Sequence, residues 1–346
     1  MKKWFWVILC VNTLIIRQIL KNYPDAVEEY YSRGIFVWIR YFFDKLGSIT
    51  SFSVAYVLII FLVYFKFIRK IKKFTFSRNS ILQASLSLLN LLCGLVFFFL
   101  ILWGFNYLRL PLAQSIGLEN LPLSISELSD ELDFAKNQVV HSKLSITNYV
   151  TMPDNYVEFI KRDVKQKMIT WGLYDGGNPP VRILSPKGIL LHFSTSGIYF
   201  PFTGECNIDG GLHPLQIPYT LAHEIAHGLG FTNEGDCNFL AYAATKNSDN
   251  QYIRYSTALN YYREVAAQYK SYEPEKYRAF RKKLPPEIIV DLDEINAKMI
   301  GYKDWFPEVR DFTYDTFLKS QGIKEGLKSY STVIALARFE RLQCRD

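Results

Sequence analysis

Two uninterrupted apolar stretches constrain this chain more than any other feature. Ile49 to Ile68 (ITSFSVAYVLIIFLVYFKFI) carries one charge, Lys66, near its end, and Ile81 to Trp103 (ILQASLSLLNLLCGLVFFFLILW) carries none. About 20 such residues cross a hydrocarbon core as a helix, so both stretches predict membrane spans. A third apolar segment, Trp4 to Leu20, is shorter and holds Asn12, Arg17 and Gln18. Lys2 and Lys3 precede it as they would a secretory signal, but Arg17-Gln18-Ile19-Leu20-Lys21 lacks a small-residue cleavage pattern. That favours an uncleaved first span, with an interfacial helix as the competing reading of its polar residues.

The loops orient the spans, because cytoplasmic segments beside a membrane accumulate Lys and Arg. Lys66, Arg69, Lys70, Lys72, Lys73 and Arg78 lie between the two strong spans with no acidic residue among them. Lys21 to Gly47 instead balances Asp25, Glu28, Glu29 and Asp44 against Lys21, Arg33, Arg40 and Lys45. The basic loop is therefore expected in the cytoplasm. Three spans then send everything after Trp103 outward, placing a multi-pass protein in a bacterial cytoplasmic (inner) membrane with its larger part on the periplasmic side. The net charge of +7 owes much to this loop, and no nucleic-acid motif accompanies it, so lipid headgroups rather than nucleic acid are the expected charged partner. Of five cysteines, Cys10 and Cys93 fall in spans, and Cys206, Cys237 and Cys344 show no CxxC spacing, which argues against a disulfide framework or zinc ribbon.

The domain organisation follows: residues 1–105 form a membrane domain with helices at about 4–20, 49–68 and 81–103, residues 106–123 a connector containing Pro111, Gly117 and Pro122, and residues 124–346 an outer domain. Within the last, Ser124 or Ser126 caps a helix reaching about His141, and a second runs from Pro153 to Trp171. The region from Val181 to Asp209 alone reads as strand, in short runs VRIL, ILLHF and GIYFPF. Pro201 lies inside the last run, and proline cannot donate to a ladder, so this run belongs on a sheet edge. Such an edge either binds an extended peptide as an added strand, through Tyr199, Phe200 and Pro201, or is an ordinary edge without a ligand. After the motif described next, Tyr252 to Arg345 has helical periodicity broken near Pro285-Pro286, Gly301, Pro307 and Gly322.

The sequence His223-Glu224-Ile225-Ala226-His227 carries the chemistry. On a helix, residues four apart share a face with Cβ atoms about 5–6 Å apart, so His223 and His227 can hold one Zn2+. Glu224 stands beside them as a candidate general base. Pro218 suits the first turn of this helix, Gly228 and Gly230 its end, and Asn233 the cap of the next. A catalytic zinc takes three protein ligands and keeps one position open. Glu234 is the candidate third ligand, with Asp236 as runner-up and dipole stabilisation as the alternative role for Glu234. Asn238, four residues on, can hydrogen-bond a ligand from behind. Water on zinc would lose a proton to Glu224 and attack a carbonyl carbon, with the proton then passed to the leaving nitrogen. Tyr199, His213 and Tyr330 each qualify as the oxyanion donor. Cys237 reads as a redox-sensitive thiol or a small buried residue, and Glu205 as a carboxylate in the cleft or in a turn.

These residues resemble the zincin metallopeptidases. Glu234-Gly235-Asp236-Cys237-Asn238 is similar to the Glu-x-Glu-Ala-Asp stretch of membrane-associated gluzincins, whose first Glu binds zinc, and departs from it at Asp236, Cys237 and Asn238. The chain resembles more closely an uncharacterised bacterial membrane family known as domain of unknown function 3810. The shared features are the N-terminal spans, Gly197, Tyr199, Pro201, Gly204 and Glu205, the histidine motif, and Glu234 with Asn238 to Tyr242. The resemblance implies an α+β, zincin-like, mainly helical metallopeptidase domain with a small mixed sheet, following N-terminal transmembrane α-helices. It implies a membrane-bound zinc peptidase acting on envelope proteins or peptides, without an organic cofactor. The alternative is a non-catalytic membrane scaffold or sensor whose zinc is structural. Gln216 to Thr232 is too polar and broken to be a span, so catalysis is expected outside the bilayer.

Overall fold

The long apolar runs and the capped amphipathic segments give a mainly helical chain with one small mixed sheet, seen in a computed structural model. The structure describes residues 4–65, 77–145, 151–174, 176–308, 316 and 332–343. Lys66, Arg69, Lys70, Lys72 and Lys73 of the expected cytoplasmic loop lie outside them, as do Tyr330 and Cys344. In chain order the main elements are α1 (Phe5–Leu20), a π-helix (Val27–Ile35), α2 (Phe36–Ser48), α3 (Val54–Val63), α4 (Arg78–Leu102), α5 (Ile125–Leu144), α6 (Tyr156–Thr170), β1 (Val181–Leu184), β2 (Gly197–Phe200), β3 (Glu205–Asp209), α7 (Ile217–Gly228), α8 (Glu234–Thr245), α9 (Gln251–Tyr272), α10 (Pro274–Arg281), α11 (Pro286–Ile300) and α12 (Thr332–Gln343). They divide into two compact units.

The first unit comprises Met1–Leu110, Gly177–Arg182 and Phe200–Glu205. Among the described residues, α4 alone is long and apolar enough to cross a membrane. Phe5–Leu20 and Pro24–Ser48 pass the same test only as a pair, bent by 117°. Trp6 of α1 lies on Gly94 of α4, where the missing side chain admits the indole, and packs against Phe97 and Phe98. The charge-balanced stretch after α1 is folded: in the π-helix, Glu28 accepts two hydrogen bonds from Arg109, at 2.7 and 2.9 Å, and Tyr31 donates to the Ile101 carbonyl at 2.9 Å.

The second expected span begins five residues late, at Val54 rather than Ile49. Ser53 is extended (φ −69°, ψ 116°), and the helix starts where a carboxylate from another segment covers its first N–H groups. Glu205 accepts from the Val54 and Ala55 amides at 3.0 and 3.1 Å, from Ser53 and Thr203 hydroxyls at 3.3 and 2.9 Å, and from Arg182 Nε at 3.0 Å. This fully buried carboxylate is thus a helix cap, and neither a cleft group nor a surface turn residue. The described part of α3 has ten residues, too few to span alone, and residues 66–68 of the expected span lie outside the described set.

The second unit comprises Pro111–Gly176, Ile183–Tyr199 and Cys206–Asp346. The expected connector is divided between the units and packed, with Asn106 buried in the first and Leu112 and Ala113 in the second. Ser124 caps α5 in a reciprocal pair with Glu127. The core gathers where α5, α8, α9 and α12 meet: Tyr261 donates to the buried Glu131 at 2.7 Å and stacks on Tyr242 at 4.1 Å. Arg341 also binds Glu131, while Glu340 takes Lys167 and Lys246 at 2.6 Å each, so α12 is pinned by charge as well as by buried Val333, Ile334 and Leu336.

The sheet order is β1-β3-β2, which leaves β2 at an edge as Pro201 requires, with Pro201 in the turn that follows it. The ILLHF run is not a strand: Leu191–Phe193 is a 3-10 turn. The cause is Asp209, whose carboxylate accepts from the amides of Gly188, Leu190 and Leu191 at 2.7, 2.7 and 3.2 Å and coils that segment around itself.

Candidate metal centre

The site lies wholly in the second unit and is built by the turn between α7 and α8. Pro218 opens α7, and Leu221, Ala222, Ile225 and Ala226 bury its inner face. The helix ends with two crossed hydrogen bonds, Gly230 N–H to the His227 carbonyl at 2.9 Å and Phe231 N–H to the Ala226 carbonyl at 3.1 Å. Gly230 sits at φ +90°, a conformation that side-chain-bearing residues rarely adopt. Asn233 then caps α8, its Oδ1 accepting from Gly235 and Asp236 amides at 2.9 and 3.2 Å. The reversal places Glu234, first residue of α8, over the histidine face of α7.

Three donor atoms converge there. His223 Nε2 is 3.1 Å from His227 Nε2 and 3.1 Å from Glu234 Oε2, and His227 Nε2 is 3.6 Å from the same oxygen. The outer nitrogens are already committed: His223 Nδ1 lies 2.7 Å from Asn238 Oδ1, and His227 Nδ1 lies 2.9 Å from the Phe231 carbonyl. Both partners only accept, so each Nδ1 carries the hydrogen and each Nε2 presents a lone pair inward. Lone pairs and a carboxylate so close repel unless a cation sits among them. Ligand bonds of about 2.0–2.1 Å around tetrahedral zinc put ligand atoms roughly 3.3 Å apart, close to the separations found. The His223, His227 and Glu234 donor set therefore fits one divalent cation.

Electrostatics agree with that geometry. Burial opposes ionisation of Glu234, yet positive charge on its histidine side, whether a proton on the imidazoles or a cation in its place, holds its carboxyl well below the usual range. Burial raises the Glu224 carboxyl, against the pull of both histidines and of the Tyr199 N–H that bonds it. Its Oε2 is buried with no hydrogen-bond partner among the described residues. Glu224 is thus a carboxylate with one oxygen held by β2 and the other available to a proton.

The remaining sequence candidates separate cleanly. Asp236 is turned away from the histidines, accepting from the Leu112 amide at 3.1 Å. Tyr199 contributes its backbone to Glu224 while its side chain is buried. Phe200 and Pro201 fall in the other unit, where the Phe200 carbonyl takes the Thr203 and Gly204 amides at 3.1 and 2.9 Å. His213 caps a short 3-10 turn and faces Glu294 at 3.7 Å. Cys237 is on the outer side of His227, 3.3 Å from Nδ1, where its thiol reaches the Phe231 carbonyl at 3.5 Å. Gly197, named from the sequence only as a shared family feature, packs against Glu224, and Tyr219, not singled out there, has its hydroxyl 3.1 Å from the Asn238 carbonyl. Tyr219 was within reach, being four residues before His223 on the same helical face.

Compared with known proteins, the chain matches over residues 31–337 the model of a family described as "Protein of unknown function (DUF3810)". No curated protein and no solved structure matches the chain.

Proposed function

The chain belongs to the family described as Protein of unknown function (DUF3810), and from the chemistry of its site we propose that it is a membrane-bound zinc-dependent metallopeptidase of zincin, gluzincin-like type. The observation that carries this reading is the convergence of His223 Nε2, His227 Nε2 and Glu234 Oε2 beside a buried carboxylate with a bare oxygen.

In this reading His223, His227 and Glu234 hold the zinc, with Asn238 and the Phe231 carbonyl fixing the imidazole tautomers. A zinc ion so held supplies Lewis acidity and lowers the pKa of a water. Glu224 takes the proton of the attacking water on Oε2 and returns it to the leaving nitrogen, while the Tyr199 N–H keeps the carboxylate oriented. The edge strand β2 begins beside Glu224, which suits an extended peptide laid along residues 197–199. Envelope proteins or peptides are the substrates that fit a site on a membrane-anchored chain. The α4 helix supports the anchor, and the basic loop supports a multi-pass arrangement with the site on the periplasmic side.

The test uses the full chain in detergent with metal analysis and a peptide library. Glu224→Gln is expected to keep one zinc and lose cleavage, and His223→Ala to lose both. A wild-type protein that binds no zinc under any loading condition overturns the proposal. Zinc binding without cleavage, together with an intact cellular phenotype for Glu224→Gln, favours a scaffold or sensor with structural zinc.

A further inference from the structure

Behind the His223 side of the site is a hydrogen-bond chain in which the single hydrogen of one hydroxyl faces two acceptors. The Tyr219 hydroxyl lies 3.1 Å from the Asn238 carbonyl and 3.0 Å from Glu264 Oε1. A hydroxyl has one hydrogen, and a backbone carbonyl can only accept. If Tyr219 donates to Asn238, the bond to Glu264 needs its hydrogen from Glu264.

The rest of the Glu264 environment points the same way. The residue is half-buried, but Oε2 is shielded from solvent and has no hydrogen-bond partner among the described residues. No ion pair to it occurs among those residues, and its neighbour Arg263 points its guanidinium at Asn260 Oδ1, 3.3 Å away. A bare charged oxygen in that position is costly, whereas a carboxylic acid is not. Tyr219 and His223 from α7 and Arg263 from its own helix are the titratable groups that bear on it; burial outweighs all three and pushes the Glu264 carboxyl up to about 7.

We propose that Glu264 and Tyr219 are positioning residues: Glu264, carrying a proton, donates to the Tyr219 hydroxyl, which donates to the Asn238 carbonyl and holds the turn of α8 whose Asn238 side chain orients His223. Neither side chain touches the reacting atoms. The effect on zinc rests on the metal-site reading above, whereas the protonation of Glu264 does not.

Two measurements on the full chain in detergent separate these steps. The first is stability against pH after chelator treatment. With a carboxyl at about 7 in the folded chain against the ordinary 4.5, the folded state binds a proton the unfolded state has released, so stability falls as pH rises from 4.5 to 7. Glu264→Gln keeps a donor to Tyr219 at every pH and removes that loss. From pH 5 to pH 8 the variant's folding equilibrium is expected to gain on wild type by roughly 50- to 100-fold. A constant difference, or one that moves toward wild type, shows that Glu264 is an ionised acceptor and overturns the proposal. The second is zinc affinity by competition with a chelating dye. Tyr219→Phe, which fits the same space, is expected to weaken zinc about tenfold, and Glu264→Gln to leave it unchanged. Wild-type affinity in Tyr219→Phe refutes the positioning role. Absence of zinc from every protein, wild type included, sinks the metal-site reading while leaving the pH result to stand by itself.

Discussion

Gly197 backs so closely onto Glu224 that a β-carbon at position 197 would stand 2.7 Å from Oε1 and 2.8 Å from Cγ. The same β-carbon would be 3.0 Å from the Asn207 backbone carbonyl, which cannot swing away. Gly197→Ala therefore displaces Glu224 without touching a metal ligand. Zinc stoichiometry is expected to stay at the wild-type value while peptide cleavage falls at least tenfold, with a stability loss of about 1–3 kcal/mol from overpacking. Undiminished cleavage in this variant would remove Glu224 from its assigned role.

Asn238 holds His223 by a single acceptor oxygen, 2.7 Å from Nδ1. Asn238→Asp keeps that acceptor and is expected to hold zinc as tightly as wild type. Asn238→Leu removes it and frees the imidazole to present the wrong tautomer, so affinity should drop on the order of 10- to 100-fold. Equal affinity in the two variants means that helix packing alone orients His223.

How much of this was legible depended on whether the signal was local. The long apolar helix at Arg78–Leu102, the Ser124 cap, and the Gly230 turn that brings Glu234 back to the histidines all follow from residues adjacent in sequence. What failed depended on contacts between distant segments. Glu205 moves the start of α3 by five residues from 150 positions away, and Asp209 turns an apolar run expected as strand into a coil around its carboxylate. Glu264 lies 45 positions from Tyr219, and nothing in its own neighbourhood marks it. β3 lies outside the three runs expected as strand, and its five residues are all buried, with Glu205, Asn207 and Asp209 each partnered in the fold.

Glu205 gives a prediction confined to the first unit. Its carboxylate serves two helix amides, two hydroxyls and Arg182, whose guanidinium also reaches the Gly47 carbonyl at 2.6 Å. Glu205→Ala strips a buried cation of its counter-charge and uncaps α3, and is expected to cost about 3–5 kcal/mol. Glu205→Gln retains part of the bonding and should cost less. Thermal unfolding in detergent measures both, and a loss under about 1 kcal/mol for the alanine variant contradicts the buried-cap description.

Cys237 tests whether the thiol beside His227 takes part in metal binding. Its sulfur lies on the Nδ1 side of the ring, 3.3 Å from that nitrogen, away from the Nε2 atoms that face Glu234. Burial pushes the thiol up to about 11, against the pull of His227, so at neutral pH it is uncharged. Alkylating reagents attack the thiolate, and Cys237 should resist them in the folded protein and react fully after denaturation. Cys237→Ala is expected to bind zinc at wild-type stoichiometry, with a stability loss of about 1 kcal/mol for the small cavity. Rapid alkylation of the native protein that releases zinc, followed residue by residue by mass spectrometry, would make Cys237 a ligand and unseat Glu234.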